Sequence, residues 1–481
     1  MLRLLDLDRP VWRVETPSSP RLWLGLLKQS VVPQTEFARS QFRGQRMNHD
    51  PSKSVGTQVL RPFDKALQAL ALGPRWDRLQ LPADRLPTVR RMVLGLALEA
   101  DSLADNWRLT EPLCAPQSLQ TFYDTLDDPQ MKLWKLLPAL VPSHRTTPAD
   151  QLVVDATSTH ITGQHIAGTT LQYDHATRAY YMGHNLVTLY HRGAEGPDRF
   201  YDFQLKMNHR QPPAQIHPGR PTREVQQARQ PRWKLAQELV QQAKQQGHQA
   251  AIVLADAEFC QPDFLRGVHQ AGMDFGTRLP RNRKLGLLGR GWQPAQQWVV
   301  GTKSYKRLRQ TDYYFIQSLA YLPEVGLPLV KVVAYWHCSS RKGKEDACLI
   351  ITSRWWLSAY ETVTLYHRRG GTETGYKQLK QLCGLDDGHV RSWHAVMNYY
   401  ALSILAHAAV VEMHRLSGSS QGLMGYVHTF RQAVVTARIA AEKRASVDVF
   451  ITMLWQNGFS TRSTDHRRLL ELVDAAFLDT G

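Results

Sequence analysis

Four residues in the C-terminal part of the chain have the types and the spacing that suit phosphate chemistry. The segment YHRRGGTETGYKQLK carries a phenol, a guanidinium, a carboxylate and an ammonium group at Tyr366, Arg369, Glu373 and Lys380. On an α-helix these positions (i, i+3, i+7 and i+14) fall close to one stripe. The carboxylate suits a metal ion, while the two cations and the hydroxyl suit phosphate oxygens. The pattern therefore predicts a metal ion held beside a phosphodiester.

Two aspartates upstream complete such a site if the fold brings them together. Asp155 ends the apolar run in LVVDATS, and Asp256 ends the one in IVLADAEF, so both are expected at strand ends. A buried carboxylate needs a cation, although each residue taken alone also suits a turn or a helix cap. We predict that Asp155, Asp256 and Glu373 are catalytic and share two divalent ions. Carboxylate ligands favour Mg²⁺, with Mn²⁺ as the alternative.

Three further features near these acids are expected to have no catalytic role. Glu258 lies two residues beyond Asp256, past the expected end of that strand, and is predicted to be structural. His160 and His165 match no zinc-binding spacing and are predicted to lie on a surface hairpin. The glycine-rich GLLGRG at 286–291 has no strand before it and no helix after it, which favours a turn.

The charge of the chain favours a polyanionic partner. It has 481 residues with 59 Lys+Arg and 42 Asp+Glu, a formal net charge of +17. Such an excess favours nucleic acid, and a basic surface that serves only solubility is the alternative. Two segments concentrate the charge: the loop 206–234, and residues 278–309, which contain nine Lys or Arg and no acid. Predicted DNA contacts in the second segment are Arg281, Arg283, Lys284, Lys303, Lys306 and Arg307.

Composition argues against several other classes of protein. The five cysteines are scattered, odd in number and without a CxxC pair, which argues against a disulfide framework and a structural zinc site. The N-terminus lacks the continuous apolar stretch of a signal peptide. The longest apolar run, 400–413, contains a histidine and a glutamate, and it is predicted to be a core helix. These features predict a cytoplasmic protein without a membrane span.

The elements that must position the acids follow from changes in sequence pattern along the chain. Strands are predicted at 151–158, 181–192, 199–209, 251–256 and 273–280, with helices before and after the fourth. This order is the one expected of an α/β ribonuclease H-like core. The predicted divisions are a basic polar arm (1–60), a helical N-terminal domain that binds DNA (61–148), the first part of the core (149–280), a β-rich insertion (281–347), the second part of the core (348–410) and a helical region that dimerises (411–481).

The pattern Y-x2-R-x3-E-x6-K, with the two aspartate segments upstream, resembles the bacterial DDE transposases of the insertion-sequence-four superfamily. The resemblance covers roughly residues 150–410. It implies that Asp155, Asp256 and Glu373 are the metal-binding triad and that Tyr366, Arg369 and Lys380 hold phosphates of the transposon end. It also implies a homodimer in a synaptic complex on double-stranded DNA, at paired inverted-repeat ends. The reaction would be end cleavage and strand transfer into target DNA, in the bacterial cytoplasm at the nucleoid.

The chain departs from that family pattern in two places. Gly370, Gly371 and Thr372 stand where family members commonly have a Trp and a β-branched residue. Because glycines weaken a helix, we predict a break just before Glu373, with Thr372 capping a second helix. Cys348 stands where some relatives have a base-stacking Trp. The alternatives are a transposase-derived DNA-binding protein without cleavage activity, or another ribonuclease H-like nuclease.

Overall fold

The structure is a computed structural model, which describes residues 55–439 with short gaps. The gaps are 99, 101, 115–116, 162–165, 175–176, 195, 208–222, 289–290, 310, 323–324 and 438. Several predictions lie outside the described residues: nearly all of the polar arm, the middle of the basic loop 206–234, His165, and the C-terminal region beyond 439.

The described chain begins with helices, as the apolar periodicity predicts. Ser118 caps the helix LQTFYDTL, since its side chain accepts a hydrogen bond from the backbone N–H of Thr121 at 3.1 Å. The apolar run Leu133–Leu140 forms a 3₁₀-helix, with Pro138 inside it. The α-helices are α1 Val55–Ala69, α2 Leu72–Arg78, α3 Leu86–Ala97, α4 Leu103–Thr110 and α5 Leu119–Asp127.

Within the described residues a 12-stranded mixed sheet follows, so the fold is α/β. Its hydrogen-bonded order is β2-β3-β1-β5-β6-β12-β11-β10-β7-β8, with β4 also on β3 and β9 on β10. Strands β1, β5 and β6 are parallel to one another, whereas β3 and β12 run antiparallel to their neighbours. The strands are β1 Gln151–His160, β2 Thr170–Asp174, β3 Ala179–Arg192, β4 Arg199–Lys206, β5 Ile252–Ala255, β6 Asp274–Arg278, β7 Lys284–Leu287, β8 Gly291–Pro294, β9 Lys306–Arg307, β10 Tyr313–Leu322, β11 Leu327–His337 and β12 Cys348–Thr352.

Helices lie between and after these strands. Within the segment 281–347 that the sequence predicted to be β-rich, residues 298–301 belong to a short helix. Pro294 precedes that helix and supplies its N-cap position. The helices are α6 Arg223–Ala228, α7 Arg232–Gln245, α8 Pro262–Gln270, α9 Ala295–Gly301, α10 Ala359–His367, α11 Gly371–Leu382 and α12 Trp393–Ser417. Residues 423–437 are also helical.

The segment predicted as a β-rich insertion continues the same sheet. The long strands β10 and β11 form a hairpin, and β11 pairs with β12 from Lys331–Thr352 to Tyr335–Cys348. Strand β12 in turn pairs with β6. The sequence did not predict β2, which forms a hairpin with β3.

Alternation along the strands sorts their side chains onto two faces of the sheet. Val153 and Leu254 point to one face, where helices α1, α3, α5, α11 and α12 contribute to a shared hydrophobic core. Val154 and Ala255 point to the other face, toward α7 and α8. The predicted domain boundaries themselves stay predictions.

Helix α12 is the principal buried helix of the described chain. By length and composition it is the one described helix able to cross a membrane, but 89% of its apolar window is buried inside the protein. Asn398 in this helix donates to the carbonyl oxygens of Leu126 and Met131, both at 2.9 Å. These contacts are those of a core helix, as the sequence predicts for 400–413.

We expect the stability of the protein to fall as pH rises toward neutrality, because of Asp202 in β4. Burial raises the pKa of this carboxyl from its ordinary value of 3.8 to about 7. The folded state therefore holds the proton more tightly than the unfolded state, and stability is lost as pH rises from 3.8 to 7. At about 1.4 kcal/mol per pKa unit, the loss reaches up to about 4 kcal/mol.

Asp202→Asn should remove this loss. Urea unfolding at pH 8 should show a more stable variant, whereas at pH 4 the two proteins should be nearly equal. An equal difference at both pH values would show that the carboxyl does not carry the proton when folded.

Candidate active site

Asp155 and Asp256 lie side by side on adjacent parallel strands. Val154 of β1 is paired with Ala255 of β5, so the next residue on each strand is an aspartate at the same level. Alternation places both on the sheet face of Val153 and Leu254, which is the face covered by α11. The register between the adjacent strands β1 and β5 therefore brings together two acids that are about a hundred residues apart in sequence.

The two aspartates differ in local backbone. Asp256 follows the last residue of β5 and precedes a 3₁₀ turn at Ala257–Phe259, as a strand-end residue should. The prediction that Asp155 ends its strand is wrong, because β1 continues to His160, as the predicted strand 151–158 already implies. The residues after Asp155 go on pairing with β3, and Asp155 itself lies opposite Thr188. Threonine suits a strand, so the polar run did not end it.

The signature segment forms two helices joined by a short turn. Helix α10 starts with a capping box between Ser358 and Glu361 and ends at His367, so Tyr366 lies in its last turn. A 3₁₀ turn, Arg368–Gly370, precedes α11. The predicted break before Glu373 is thus present. Thr372 does not cap α11, because Gly370 occupies the N-cap position in a right-handed conformation and Thr372 is buried in the first turn.

Arg369 joins two of the three predicted catalytic acids. Its Nη1 donates to Asp155 Oδ2 at 2.7 Å, and its Nη2 donates to Glu373 Oε1 at 2.8 Å. The Arg369 side chain is 15% exposed, that of Asp155 12%, and that of Glu373 65%. One guanidinium therefore lies between a carboxylate fixed in the sheet and a carboxylate at the surface of a helix.

Tyr366 links the same segment to the third acid. Its hydroxyl donates to Asp256 Oδ1 at 3.4 Å, which is long for a hydrogen bond between oxygens. Burial raises the pKa of Tyr366. The phenol is therefore neutral at physiological pH and keeps its proton for donation.

Lys380 lies further along α11, near the C-terminal half of β1. Its Nζ donates to the Ser158 carbonyl oxygen at 2.6 Å and lies 3.4 Å from Asp386 Oδ2. The Lys380 side chain is 29% exposed. It therefore has a fixed position on the sheet face of the acids and still reaches solvent.

The electrostatics of the site are dominated by the burial of Asp155. Burial raises the pKa of this carboxyl to about 6, against the opposing effects of Arg369 and of the Ala156 N–H, 2.9 Å from Oδ1. Asp256 and Glu258 raise it further by charge repulsion. Burial alone would lower the pKa of Arg369, but the surrounding acids raise it. The site is an acidic cluster that one arginine only partly neutralises.

The donor set fits a hard divalent cation, although the acids are not assembled around a common point. Among the described residues, no group of three or more His, Cys, Asp or Glu side chains is close enough to hold a metal ion. The three acids instead lie around Arg369, and each raises its pKa. All the donors are carboxylate oxygens, which Mg²⁺ and Mn²⁺ prefer. Asp155, Asp256 and Glu373 are the residues that would hold such ions.

The neighbouring residues set aside by the sequence have other contacts. Arg232 donates to Glu258 Oε2 at 2.6 Å, so this carboxylate already has a cationic partner at the start of α7. His160 stacks on Tyr181, with ring centroids 3.9 Å apart. Residues 286–288 belong to the end of β7 and the turn after it, and the rest of GLLGRG lies partly outside the described residues.

The predicted DNA contacts in the basic segment separate into two groups. Lys306 and Arg307 of β9 pair with β10 near its Tyr313 end. This end of β10 lies next to Tyr335 of β11, and Tyr335 is paired with Cys348 of β12. Strand β7 pairs with the other end of β10, at Ala320 and Tyr321.

Most of the side chains in these two groups reach solvent. Arg307 contacts Asp312 at 2.8 Å, while Arg283 donates to the Cys260 carbonyl oxygen at 2.5 Å. The exposed members are Arg281, Lys284, Lys303, Lys306 and Arg307.

Two basic residues near the acids were not predicted as site residues. Arg278 is exposed at the end of β6, next to the strand that carries Asp256, and its charge acts on Tyr366. Its position at a strand end adjacent to Asp256 was the available signal. Lys377 is exposed on α11, four residues after Glu373 and three before Lys380. Helical spacing alone places it on the same stripe.

The two tryptophans after β12 lie at the opposite end of that strand from the acids. Cys348 begins β12 and lies close enough to Asp256 and Tyr366 to interact with both electrostatically. Trp355 and Trp356 follow the other end of β12 and are 47% and 59% exposed. Neither tryptophan therefore occupies the place of the base-stacking Trp that some relatives have at the position of Cys348.

Comparison with known proteins supports a nuclease. Residues 108–324 match the family model of the DDE superfamily endonuclease. The matched segment, less than half of the chain, contains Asp155 and Asp256 and ends before Glu373. No curated protein matches the chain. The match supports a nucleic-acid-cleaving enzyme of the DDE type.

Asp256 and Glu258 are two acids two residues apart that we expect to respond differently to substitution. Asp256→Asn should weaken Mn²⁺ binding by about tenfold or more, because it removes a carboxylate ligand. Glu258→Gln should change it less than about twofold, since Arg232 already neutralises that group. Calorimetric titration of the two variants with Mn²⁺ measures the difference. Equal losses would mean that Asp256 has no special role in metal binding.

Proposed function

We propose that this protein is a DNA transposase, which cleaves DNA at transposon ends and joins the freed ends to target DNA in a metal-dependent reaction. The observation that carries the proposal is the position of Arg369 between Asp155 and Glu373, with Tyr366 on Asp256. Hydrogen bonds thus join the three acids to two signature residues, although the acids come from three separate segments. The order of β1, β3, β4, β5 and β6 supports a ribonuclease H-like core.

Each residue of the cluster has a role that follows from its contacts. Asp155, Asp256 and Glu373 would hold two divalent ions, Mg²⁺ or Mn²⁺, which when bound activate the attacking oxygen and stabilise the leaving oxygen. Tyr366 keeps a neutral hydroxyl beside Asp256, and this hydroxyl can donate a hydrogen bond to a phosphate oxygen. Arg369 orients two of the acids and offers its charge to the same phosphate.

The partners follow from charge and from the position of the basic residues. The excess of 17 positive charges supports binding to double-stranded DNA, both transposon inverted-repeat ends and target DNA. Lys306 and Arg307 extend the positive surface beyond Arg278 across the sheet. Lys380 would hold a phosphate further along α11. We also propose a homodimer in a synaptic complex, acting in the bacterial cytoplasm at the nucleoid.

A nuclease that cleaves without joining is the second candidate. It is favoured by the matched family, which is described as an endonuclease and covers two of the three acids. The two functions differ in one product: a transposase joins the freed 3′-hydroxyl to a second DNA molecule. Inverted repeats close to both sides of the gene would favour transposition.

Asp155→Ala, Asp256→Ala and Glu373→Ala should each abolish cleavage of transposon-end DNA and leave binding of that DNA largely intact. The acids are proposed to hold the ions and not the DNA, so the two activities should separate. Gel assays of cleavage and filter binding measure them on the same substrate, which is the DNA that flanks the gene. Normal cleavage by any one variant would remove that acid from the mechanism.

Arg369→Ala and Lys380→Ala should weaken DNA binding and reduce its dependence on salt. Removing one charged side chain that contacts a phosphate should reduce the magnitude of the slope of log K against log[salt] by about 0.9. Lys244→Ala is the matched control, because Lys244 is exposed in the last turn of α7. A slope equal to that of the control would mean that neither side chain contacts phosphate.

A further inference from the structure

We infer that Arg192, the last residue of β3, is a positioning residue for DNA cleavage: it holds the turn Arg368–Gly370 and thereby fixes Arg369 between Asp155 and Glu373. The inference rests on the proposed function.

The contact joins the central sheet to the turn between the two signature helices. Arg192 Nη1 donates to the carbonyl oxygen of Arg368. The Nε of the same guanidinium lies 3.9 Å from Asp198 Oδ2, in the loop between β3 and β4. Both side chains are 32% exposed, so the pair is half-buried. The Arg368 carbonyl oxygen also accepts a hydrogen bond from the Gly371 backbone N–H, so Arg192 is its second donor and ties the turn to the sheet.

The glycines of the turn leave room for this guanidinium. A Cβ at Gly371 would lie 2.9 Å from Arg192 Nη1 and 3.4 Å from Asp198 Oδ2. A Cβ at Gly370 would meet nothing within 4 Å. Both glycines have right-handed helical backbone angles, so neither is required for its conformation. Gly371 is therefore the position where a side chain would displace Arg192.

The turn connects this contact to the catalytic residues through two short lengths of chain. The Arg368 carbonyl belongs to the peptide bond that leads to Arg369, and Glu373 follows Gly371 by two residues. A shift of the turn moves the Arg369 guanidinium relative to Asp155, which is fixed in the sheet. Misplacement of a catalytic group by about 1 Å can slow a reaction by about a hundredfold.

The adjacent glycines provide a matched pair of variants for the test. Gly371→Ala should slow single-turnover cleavage of end DNA by roughly ten- to a hundredfold, because the new Cβ displaces Arg192. Gly370→Ala should stay within about twofold of the wild type, since its Cβ enters open space. Both variants should bind end DNA and unfold as the wild type does, because the displaced group is the far end of a flexible side chain.

Arg192→Met should reproduce the loss, since it keeps the aliphatic stem and removes the donor. The double variant Arg192→Met/Gly371→Ala should be no slower than the slower single variant, because both changes disrupt the same hydrogen bond. Losses that multiply would overturn the inference, and so would equal rates for Gly370→Ala and Gly371→Ala. A wild type that cleaves no DNA refutes the proposed function and this inference together. An active wild type with an equally active Arg192→Met variant refutes the inference alone.

Discussion

The site depends on one buried carboxylate that needs a cation. Asp155 lies in the middle of a strand, where burial raises its pKa to about 6, and its positively charged hydrogen-bond partner is Arg369 at 2.7 Å. Leaving one member of such a buried pair without its partner costs about 3–5 kcal/mol. Because Asp155 needs Arg369, β1 depends on the turn before α11, although more than 200 residues separate them in the sequence. The sheet register, the α10–α11 turn and the contact from Arg192 together bring that partner to Asp155.

The lengths and directions of β12 and α10 place the signature residues beside the acids of the sheet. Strand β12 runs antiparallel to β6, so it carries the chain away from Asp256, and α10 must return it. Five strand residues at about 3.3 Å per residue span roughly the same length as nine helical residues at about 1.5 Å per residue. Helix α10 therefore ends close to where β12 began, and this places Tyr366 beside Asp256 and near Cys348. The same geometry leaves Trp355 and Trp356 at the far end of β12.

The sequence predicted most of the central sheet, because its strands are apolar runs between turn signals. The predictions failed where tertiary contacts decide the structure. Asp155 does not end β1, since pairing with β3 carries the polar residues after it into the sheet. Residues 298–301 are helical although they look strand-like, and Thr372 is buried inside α11 because Gly370 keeps a helical backbone. The spacing placed Tyr366, Arg369 and Glu373 together, but it did not show that Arg369 joins two acids, since that contact depends on distant segments.

The two ion pairs of Arg369 are unequal, and this gives the three acids different freedom. The pair with Glu373 lies at the surface of α11, and an exposed pair of this kind contributes less than about 1 kcal/mol. Glu373 can therefore exchange Arg369 for another cation at little cost. Asp155 has no such freedom, because its backbone pairs with Thr188 of β3, the preceding Val154 pairs with Ala255 of β5, and its carboxylate is buried. Asp256 follows the last residue of β5, which pairs with β1 and β6, and its carbonyl oxygen accepts a hydrogen bond from Thr277 of β6 at 3.1 Å. Two acids are thus fixed by the sheet, and the acid on the helix is the one that adjusts.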